Sequence, residues 1–381
     1  YTDTKIISIK AKLISNYREQ YNLYKNRDIN DYHHAHDAFL TSVIGNFILK
    51  KYPNFEDEIN IKKYIKTFKE KNMHQDHKNK YGFILTAMNK DHQEYKFEWI
   101  KDKEISQVKK VLSYKDCFIT RKVEEQTGAF YDETRYDKNN SKAKIPLKKG
   151  LDPKKYGGYS SLKHAYYVAI EYVKGKRKVR KIVGIPRHEV KNIKKEGLEP
   201  YLIKVEKISK KDTLKILKKK IKKYQLINFQ GHMVYLVSDK EQRNAVQLIV
   251  DDKYQELLYK ISKNTILTDS EKIDQYNGLM ITFFDDFIEK LKKHYPLYNN
   301  IMKDLQESKS DFMDFEFDKK VNFIKQLLLI TCAKPTVGKF KDFKTNLKTE
   351  EAGRMKKTWN LDKMIFIDQS ITGLFERRYH L

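Results

Sequence analysis

The side chains best suited to chemistry lie in one short run, His33-His34-Ala35-His36-Asp37. If this run begins a helix, residues three and four apart face each other, so His33 and His34 both lie near Asp37. The same face continues into apolar residues from Leu40 onward, where a carboxylate is costly unless it is paired or binds a metal. Imidazoles can supply a base or a further ligand. The run therefore predicts an active site at the start of a helix.

Two kinds of active site fit these residue types. The alternative is a helix start whose imidazoles are merely solvated. An HD-type phosphohydrolase would use His36 and Asp37, but it needs a metal-binding histidine upstream, and no histidine precedes His33. A Mg²⁺-dependent phosphodiesterase needs several carboxylates around its ions, and this helix offers only Asp37. Because the chain also opens at Tyr1 in strand-like residues, we expect it to be cut from a larger protein that completes the site.

The composition favours a nucleic-acid partner. The 381 residues include 78 Lys and Arg against 51 Asp and Glu, a formal net charge of +27. Such a charge attracts polyanions over long range, although a lysine-rich surface without a partner is an open alternative. Cys117 and Cys332 are the two cysteines, which argues against a disulfide framework and fits a reducing cytosol. The longest apolar run, near residue 327, is too short to cross a membrane.

Hydrophobic periodicity predicts a mixed fold with both helices and strands, in two or three domains. Strands are expected at 5–10 and 117–120, a hairpin at 165–185, and β structure at the C-terminal end with a turn at Thr372-Gly373. Helices are expected at 11–24, 33–51, 212–224, 253–263, 272–294 and 312–331. The Gly-, Asn- and Lys-rich stretch 126–158 is typical of a linker or of loops that face nucleic acid.

Several segments resemble a known family. Asp31–Leu40, with the upstream residues 5–30, resembles the third RuvC motif of type II CRISPR RNA-guided DNA endonucleases. Three further segments resemble segments of that family in the same order: VEEQTGAF at 123–130, LDPKKYGGYSSLKHAYYVAIEYVKGK at 151–176 and IDQSITGLFERRYHL at 367–381. The resemblance extends over nearly the whole chain and is weakest at 54–100 and 239–340.

This resemblance implies a fold of the α+β, or mixed, class. The chain would begin with the C-terminal segment of an RNase H-like RuvC domain and continue into a mixed α/β region that ends in β-strands. That region reads the protospacer-adjacent motif (PAM) in the family. The implied division is a RuvC third segment at 1–123, a topoisomerase-like first part of the PAM-interacting domain at 124–220, and its C-terminal part at 221–381.

The resemblance also implies roles for the motif at the helix start. His34 becomes the catalytic histidine of the RuvC site and Asp37 one of its metal-binding carboxylates, both at the Mg²⁺ site, with Mn²⁺ as a substitute. His33 is a neighbour to which no role is carried over. The other acidic RuvC residues and the HNH domain lie in earlier parts of the family's sequence, so this polypeptide alone is expected to be inactive as a nuclease.

In the family, the loop after the QTG segment clamps the target-strand phosphate beside the PAM. Here that loop is Tyr131–Thr134. Glu133 and Thr134 fit the phosphate clamp, whereas Asp132 stands where the best-known members carry a lysine. The clamp is therefore expected to carry less positive charge in this chain. The alternative is that this loop is an ordinary surface turn.

The segment DPKKYGGY is similar to the strand and turn that border the PAM duplex. Lys154 and Lys155 are expected at the DNA backbone, and Ser160 and Ser161 at the minor groove. The pair Gly157-Gly158 permits close backbone approach and a positive φ. The resemblance therefore predicts that this segment lies against the duplex.

Base reading is predicted for one arginine. Guanine is best read in the major groove by arginine, bidentate to O6 and N7, and the family uses two arginines two residues apart. Counting back from Gln369 without a gap places these positions at Ala352 and Arg354, so the first guanine is no longer required and the expected PAM is NNG. Lys356 is expected to reach the next base or a phosphate, and Glu241 to brace Arg354.

The implied function is a fragment of an RNA-guided DNA endonuclease that helps to cut the non-target strand and reads the PAM. Its expected partners are a guide RNA, target double-stranded DNA with a PAM, and the rest of the same nuclease, with no membrane, in a bacterial cytoplasm. The alternative is a non-catalytic DNA-binding module, or a docking surface for an inhibitor (anti-CRISPR) protein, in which the RuvC segment only packs.

Overall fold

The computed structural model describes residues 8–53, 62–63, 66, 82–115, 117–131, 134–148, 150–209, 213–268, 270–332, 354–355 and 360–381. Its helices are α1 (Ala11–Gln20), α2 (His33–Lys51), α3 (Gly82–Met88), α4 (Lys101–Leu112), α5 (Pro153–Tyr156), α6 (Val190–Glu196), α7 (Leu198–Glu206), α8 (Gln255–Lys263), α9 (Ile273–His294), α10 (Asn299–Glu307), α11 (Lys309–Asp314) and α12 (Phe317–Thr331). Its strands are β1 (His92–Glu94), β2 (Phe97–Trp99), β3 (Arg135–Tyr136), β4 (Ile145–Pro146), β5 (Gly158–Tyr159), β6 (His164–Lys174), β7 (Arg177–Pro186), β8 (Leu214–Ile221), β9 (Leu226–Phe229), β10 (His232–Leu236), β11 (Gln242–Asn244), β12 (Arg354–Met355), β13 (Met364–Gln369) and β14 (Glu376–Tyr379). The predicted mixed α+β class is confirmed.

The chain divides into two compact units. The first consists of Tyr1–Cys117 with Ile249–Leu279, and the second of Phe118–Leu248 with Met280–Leu381. The first unit therefore includes α8, which lies far along the sequence from α1 and α2. Among the described residues, no helix is both long and apolar enough to cross a membrane.

The first unit packs around α2. Leu40, Ile44 and Phe47 recur on one face of this helix and are buried, as the apolar stripe of an amphipathic helix requires. The β1–β2 hairpin adds Trp99, whose ring centroid lies 5.0 Å from that of Phe47 in a T-shaped contact. The helix ends at Lys51, two residues before Pro53, which cannot continue a helix. This packing fixes α2 and with it the chemical motif at its first turn.

The second unit contains the larger sheets. Within the described residues these are a six-stranded sheet in the order β12-β11-β10-β9-β13-β14, a three-stranded sheet β7-β6-β8 and a small sheet β3-β5-β4. The strand pairs described in all three sheets are antiparallel. Aromatic packing joins the helices of this unit: Phe284 stacks on Phe312 at 4.8 Å, and Phe323 lies 5.2 Å from Phe312.

The predicted helix at 212–224 is wrong, because residues 214–221 form β8. Leu214, Leu217 and Ile221 do recur at helical spacing, yet β8 is the third strand of the sheet that contains the β6–β7 hairpin. Leu214 and Ile216 pack against the apolar core of that sheet. A strand is defined by its long-range partner, so pairing with β6 prevails over a short local period.

The other predicted elements agree more closely. The helix at 33–51 is confirmed as α2, and the hairpin is confirmed as β6 and β7. The helix predicted at 11–24 ends at Gln20, and the one at 312–331 is interrupted between α11 and α12. Residues 117–120 form no strand, and of the strand predicted at 5–10 only residues 8–10, which also form none, are described.

Candidate functional site

The first turn of α2 holds the predicted catalytic cluster in place. The side-chain oxygen of Asn30 accepts a hydrogen bond of 3.0 Å from the backbone N–H of Tyr32, which turns the chain into the helix. The N–H of His34 then donates to the carbonyl of Asp31 at 3.1 Å. Local hydrogen bonds thus hold the cluster at the start of the helix. The later turns of α2 are held by their buried apolar face.

Asp37 is paired with two cations from residues outside α2. The Nε and Nη2 atoms of Arg18 lie 3.0 Å and 2.8 Å from Oδ1, and Lys25 donates to Oδ2. Arg18 is 6% exposed, and its Nη1 also donates to the carbonyl of Leu23 at 3.2 Å. The guanidinium is therefore held from two sides, and it fixes one oxygen of the carboxylate.

These cations keep the carboxylate ionised. Burial raises the pKa of Asp37, but the hydrogen bond from Lys25 and the charge of Arg18 oppose it, and the resulting pKa lies below the ordinary value of 3.8. Asp37 is therefore a carboxylate at neutral pH. A negative oxygen ligand is what a hard divalent cation requires.

Lys25 is positioned by its two neighbours in the sequence. The side-chain amide of Asn26 donates to the carbonyl of Leu258 in α8 at 2.9 Å, and the ring of Tyr24 lies 5.4 Å from that of Tyr259. The loop that carries Lys25 is thus attached to a helix more than two hundred residues later in the chain. Neither Arg18 nor Lys25 was expected at this site, and no local pattern in the sequence signals either one.

The three histidines have different surroundings. The Nδ1 atom of His33 lies 2.9 Å from the carbonyl of Asn30, and the side chain is buried, whereas His34 is exposed. Burial, and then the charge of Arg18, lower the pKa of His36 to about 4. His36 is therefore neutral at physiological pH and a weak base.

His34 shares a group of possible metal-ligand atoms with two other residues. In the part of the chain that the structure describes, one group of three has metal-ligand atoms within 4.8 Å of one another, and it consists of Asp31, His33 and His34. Asp37 is not a member of that group. The joint role of His34 and Asp37 as metal ligands therefore stays a prediction.

The donor set around Asp37 fits a divalent cation in part. Its Oδ2 is held by Lys25, a side chain that is 22% exposed, so a cation that binds this oxygen has to displace the ammonium. Its Oδ1 stays with Arg18. Because Mg²⁺ takes mainly oxygen ligands and this turn supplies one ionised carboxylate at Asp37, further carboxylates have to come from other parts of the protein.

The predicted PAM-duplex segments are brought together in the small sheet of the second unit. In the register of β3 and β5, Arg135 pairs with Tyr159 and Tyr136 with Gly158. Thr134, which is exposed, and Ser160 therefore stand at neighbouring ends of two paired strands. Thr134 of the clamp loop thus lies beside the end of the DPKKYGGY segment, whereas Asp132 and Glu133 lie outside the described residues.

The lysines of this surface stand on a single helical turn. The side chain of Asp152 accepts the N–H of Lys154 at 2.9 Å, an N-cap for α5, and both Lys154 and Lys155 are exposed. Ser161 is also exposed, and it has further interactions in the structure. The connections of the small sheet thus carry exposed positive charge and an exposed hydroxyl group.

The paired glycines are required by the close approach of backbone. Gly157 has φ +75°, and a Cβ there would collide with the carbonyl oxygen of Tyr136. A Cβ at Gly158 would collide with the carbonyl oxygen of Ile145 in β4. The expectation of a positive φ is confirmed at Gly157, and the approaching backbone belongs to this chain's own strands.

Arg187 has a structural role that was not predicted from the sequence. Its Nη1 donates to the carbonyl of Ala129 at 2.7 Å and its Nη2 to the side-chain oxygen of Gln126 at 2.9 Å. Beside this contact, the ring of Tyr131 stacks on that of Tyr159 at 4.7 Å. Arg187 therefore holds the QTG segment that precedes the clamp loop. It follows β7 without any motif of its own.

The predicted base-reading strand pairs with the hairpin that carries the predicted brace. In β12, the backbone of Arg354 is the register partner of Arg243 in β11. Glu241 lies in the turn before β11, with its Oε1 3.9 Å from the Nε of Arg243. Only the backbone of Arg354 is described, while Lys356 and Ala352 lie outside the described residues. The bracing of Arg354 by Glu241 stays a prediction.

Comparison with family models matches both parts of the chain. A model of the Cas9 RuvC domain matches residues 1–124, and a model of the PAM-interacting domain of CRISPR-associated endonuclease Cas9 matches residues 127–377. The RuvC match includes the cluster at the start of α2. The second match includes the small sheet, the turn that bears Glu241 and the strand that bears Arg354.

Curated proteins are similar over nearly the whole chain. The CRISPR-associated endonuclease Cas9 of Streptococcus mutans serotype c is 31% identical over 404 residues, which cover 99% of this chain and 29% of that protein. The CRISPR-associated endonuclease Cas9 of Listeria innocua serovar 6a is 31% identical over 393 residues, which cover 99% of this chain and 28% of that protein. This chain thus spans less than a third of the length of either relative.

Proposed function

Because this chain belongs to the Cas9 family of CRISPR-associated endonucleases, we propose that it supplies two parts of an RNA-guided DNA endonuclease. One part contributes His34 and Asp37 to the RuvC site that cuts the non-target strand. The other reads the PAM in double-stranded DNA. Alone, the chain is inactive as a nuclease, since one ionised carboxylate at Asp37 does not make a two-metal site.

The observation that carries the nuclease part is the state of Asp37. Arg18 fixes Oδ1, and Lys25 and Arg18 together keep the carboxylate ionised, while a cation at Oδ2 would have to displace Lys25. Asp37 and exposed His34 would hold Mg²⁺, with Mn²⁺ as a substitute. When bound, such a cation stabilises the negative charge that develops on the phosphate during hydrolysis. Arg18 contributes by holding the carboxylate in one orientation before any ligand arrives.

The DNA-reading part is supported by the surface around β3 and β5. Thr134 would contact the target-strand phosphate, as would Glu133. Lys154 and Lys155 would pair with backbone phosphates, and the serines Ser160 and Ser161 would face the minor groove. Phosphate contacts of this kind position a protein on the duplex without reading its sequence.

Sequence reading is assigned to β12. Arg354 would donate two hydrogen bonds to a guanine at the third PAM position, with Lys356 at the next base or a phosphate and Glu241 bracing the guanidinium. The antiparallel pairing of β11 and β12 supports this assignment, because it places Arg354 on the same sheet edge as the Glu241 turn. The proposed partners are a guide RNA, PAM-bearing duplex DNA and the remainder of the nuclease.

Reconstitution tests the proposal. The chain is combined with the remainder of its nuclease, expressed separately, and with guide RNA and a PAM-bearing duplex labelled on the non-target strand. We expect Mg²⁺-dependent cutting of that strand by the mixture and by neither piece alone. The control is the same mixture with chain carrying Asp37→Ala, which should leave the other strand's cleavage intact.

The alternative gives a different result. If the chain is a binding module whose RuvC segment only packs, Asp37→Ala leaves non-target-strand cleavage unchanged while duplex binding persists. That outcome would refute the nuclease part and leave the PAM-reading part standing. Binding that does not depend on the PAM, together with continued cleavage of a PAM-free duplex, would refute the PAM-reading part.

A further inference from the structure

We propose that Asp31, His33 and His34 form a binding site for a divalent transition-metal ion of the Zn²⁺ class, with a ligand set that excludes Asp37. The three side chains offer one carboxylate oxygen and two imidazole nitrogens within 4.8 Å of one another. The two rings lie side by side, with centroids 4.2 Å apart at an interplanar angle of 38°. Asp37, which is paired with Arg18 and Lys25, does not belong to this group.

The hydrogen bond of His33 prepares its ring for metal binding. Because a carbonyl oxygen can only accept, the Nδ1 atom that lies 2.9 Å from the carbonyl of Asn30 must carry the proton. The lone pair is then on Nε2, the atom left to bind a ligand. Metal-binding histidines are commonly oriented in this way, by a backbone carbonyl on the second ring nitrogen.

The separation of the donors is close to what a metal would impose. With bonds of about 2.0–2.1 Å in a tetrahedral site, ligand atoms lie about 3.4 Å apart. The donors here are within 4.8 Å, so rotation of the exposed His34 about its side-chain bonds would close much of the gap. The open side at His34 leaves room for a water molecule as the fourth ligand.

The donor types decide the class of ion. Two imidazoles and one carboxylate suit Zn²⁺ or Co²⁺, whereas Mg²⁺ requires mostly oxygen ligands and near-ideal octahedral geometry. The positive charge of Lys25 lies close enough to act on His33. It disfavours a cation that is held by electrostatic attraction alone. If His34 also binds a metal ion in the proposed nuclease site, the two sites cannot be occupied at the same time. Only this consequence rests on the proposed function.

Calorimetric titration of the 381-residue chain with ZnCl₂, without nucleic acid, tests the site. We expect one dominant site whose affinity falls about tenfold or more in Asp31→Asn and in His34→Gln, with retained circular dichroism showing that both variants fold. Asp28→Asn is the matched loss of one charge outside the group, and His294→Gln is the matched loss of one exposed histidine. Both should bind Zn²⁺ like the parent chain.

Several outcomes would overturn the site. They are the absence of Zn²⁺ binding, equal weakening by Asp28→Asn and Asp31→Asn, or displacement of Zn²⁺ by equimolar Mg²⁺. Asp37→Asn separates this site from the nuclease site. We expect Asp37→Asn to keep Zn²⁺ affinity, and weakening equal to that of Asp31→Asn would overturn the separate ligand set whatever the variant does to DNA cleavage.

Discussion

The two candidate sites differ in how far apart their residues lie in the sequence. At the start of α2 the candidate ligands all lie between Asp31 and Asp37, and contacts from Arg18 and Lys25 only adjust them. On the side proposed to read the PAM, Thr134 and Ser160 adjoin β3 and β5, and the pairing of these strands brings the two residues close together. The position of Arg354 in β12 is set separately, by the pairing of β12 with β11. The first site is a local motif under tertiary control, and the second is a product of sheet pairing.

This difference predicts how each site should fail. A substitution in the α2 cluster removes a chemical group and should abolish one reaction while binding persists. A substitution on the sheet surface removes one contact of many and should weaken or relax recognition by a limited amount. Substitutions at the two sites should therefore differ in the size and in the kind of their effects.

The largest effect is expected for Asp37→Ala in the assembled full-length nuclease. Cleavage of the non-target strand should fall by about three orders of magnitude or more, because a metal-holding carboxylate stabilises the transition state by several kcal/mol. Strand-specific gel assays measure it, and cutting of the target strand should persist. Asp28→Ala is the matched control and should cut both strands at the parental rate. Undiminished non-target cleavage by Asp37→Ala would remove the contrast between the two sites.

Arg354→Ala should change selectivity and leave the chemistry intact. Losing a bidentate contact to guanine costs about 1–3 kcal/mol and relaxes selection at the third PAM position. A PAM-library depletion assay reads this directly, and Glu241→Gln should give a weaker change at the same position. Arg377→Ala, on the exposed strand β14 of the same sheet, is the control and should keep the parental profile. A parent enzyme with no enrichment of guanine at the third position would contradict the assignment.

Arg18→Met should destabilise the first unit without removing any proposed ligand. Hydrogen bonds to charged groups contribute about 1.5–3 kcal/mol, so the free energy of unfolding at neutral pH should drop by about that amount. Urea unfolding followed by circular dichroism measures it, with Arg27→Met, an exposed arginine of the same unit, as control. A cost for Arg27→Met equal to that for Arg18→Met would show that the pairing with Asp37 is not the cause.

The same pair gives a pH dependence with a defined sign. The pKa of Asp37 is lower in the folded chain than its ordinary value of 3.8. Its pairing therefore stabilises the fold fully above that value, and this stabilisation is lost as the pH falls through the folded pKa. The difference in unfolding free energy between the parent and Arg18→Met should shrink as the pH is lowered past 3.8. A difference that grows on acidification would contradict the pairing.

The smallest effect is expected for the lysines of α5. Each phosphate contact contributes about 0.9 to the slope of log affinity against log salt concentration. The double variant Lys154→Ala/Lys155→Ala should therefore lower that slope by up to about 1.8 for duplex binding by the chain, measured by fluorescence anisotropy. The matched pair Lys194→Ala/Lys195→Ala, also adjacent, exposed and in the second unit, should change the slope less. Equal changes in both pairs would mean that general charge, and no specific surface, binds the duplex.

The sequence by itself determined the features that depend on neighbours along the chain. The helix His33–Lys51 follows from an apolar period of 3.6 residues and a proline after its end. The β6–β7 hairpin follows from two strand-like runs around Lys174-Gly175-Lys176. Several segments stand in the same order as similar segments of a known family. This order identified the chain's family, which the comparisons then confirmed.

Only the tertiary structure decided the features that join distant segments. Nothing near Asp37 in the sequence indicates that Arg18 and Lys25 pair with it, because that pairing requires α1 and the loop anchored on α8 to reach the first turns of α2. The strand β8 reads as a helix until β6 supplies its hydrogen-bonding partner. Local periodicity specifies a helix through contacts one turn away, whereas a strand and a buried ion pair are specified by whichever residues the fold brings opposite them.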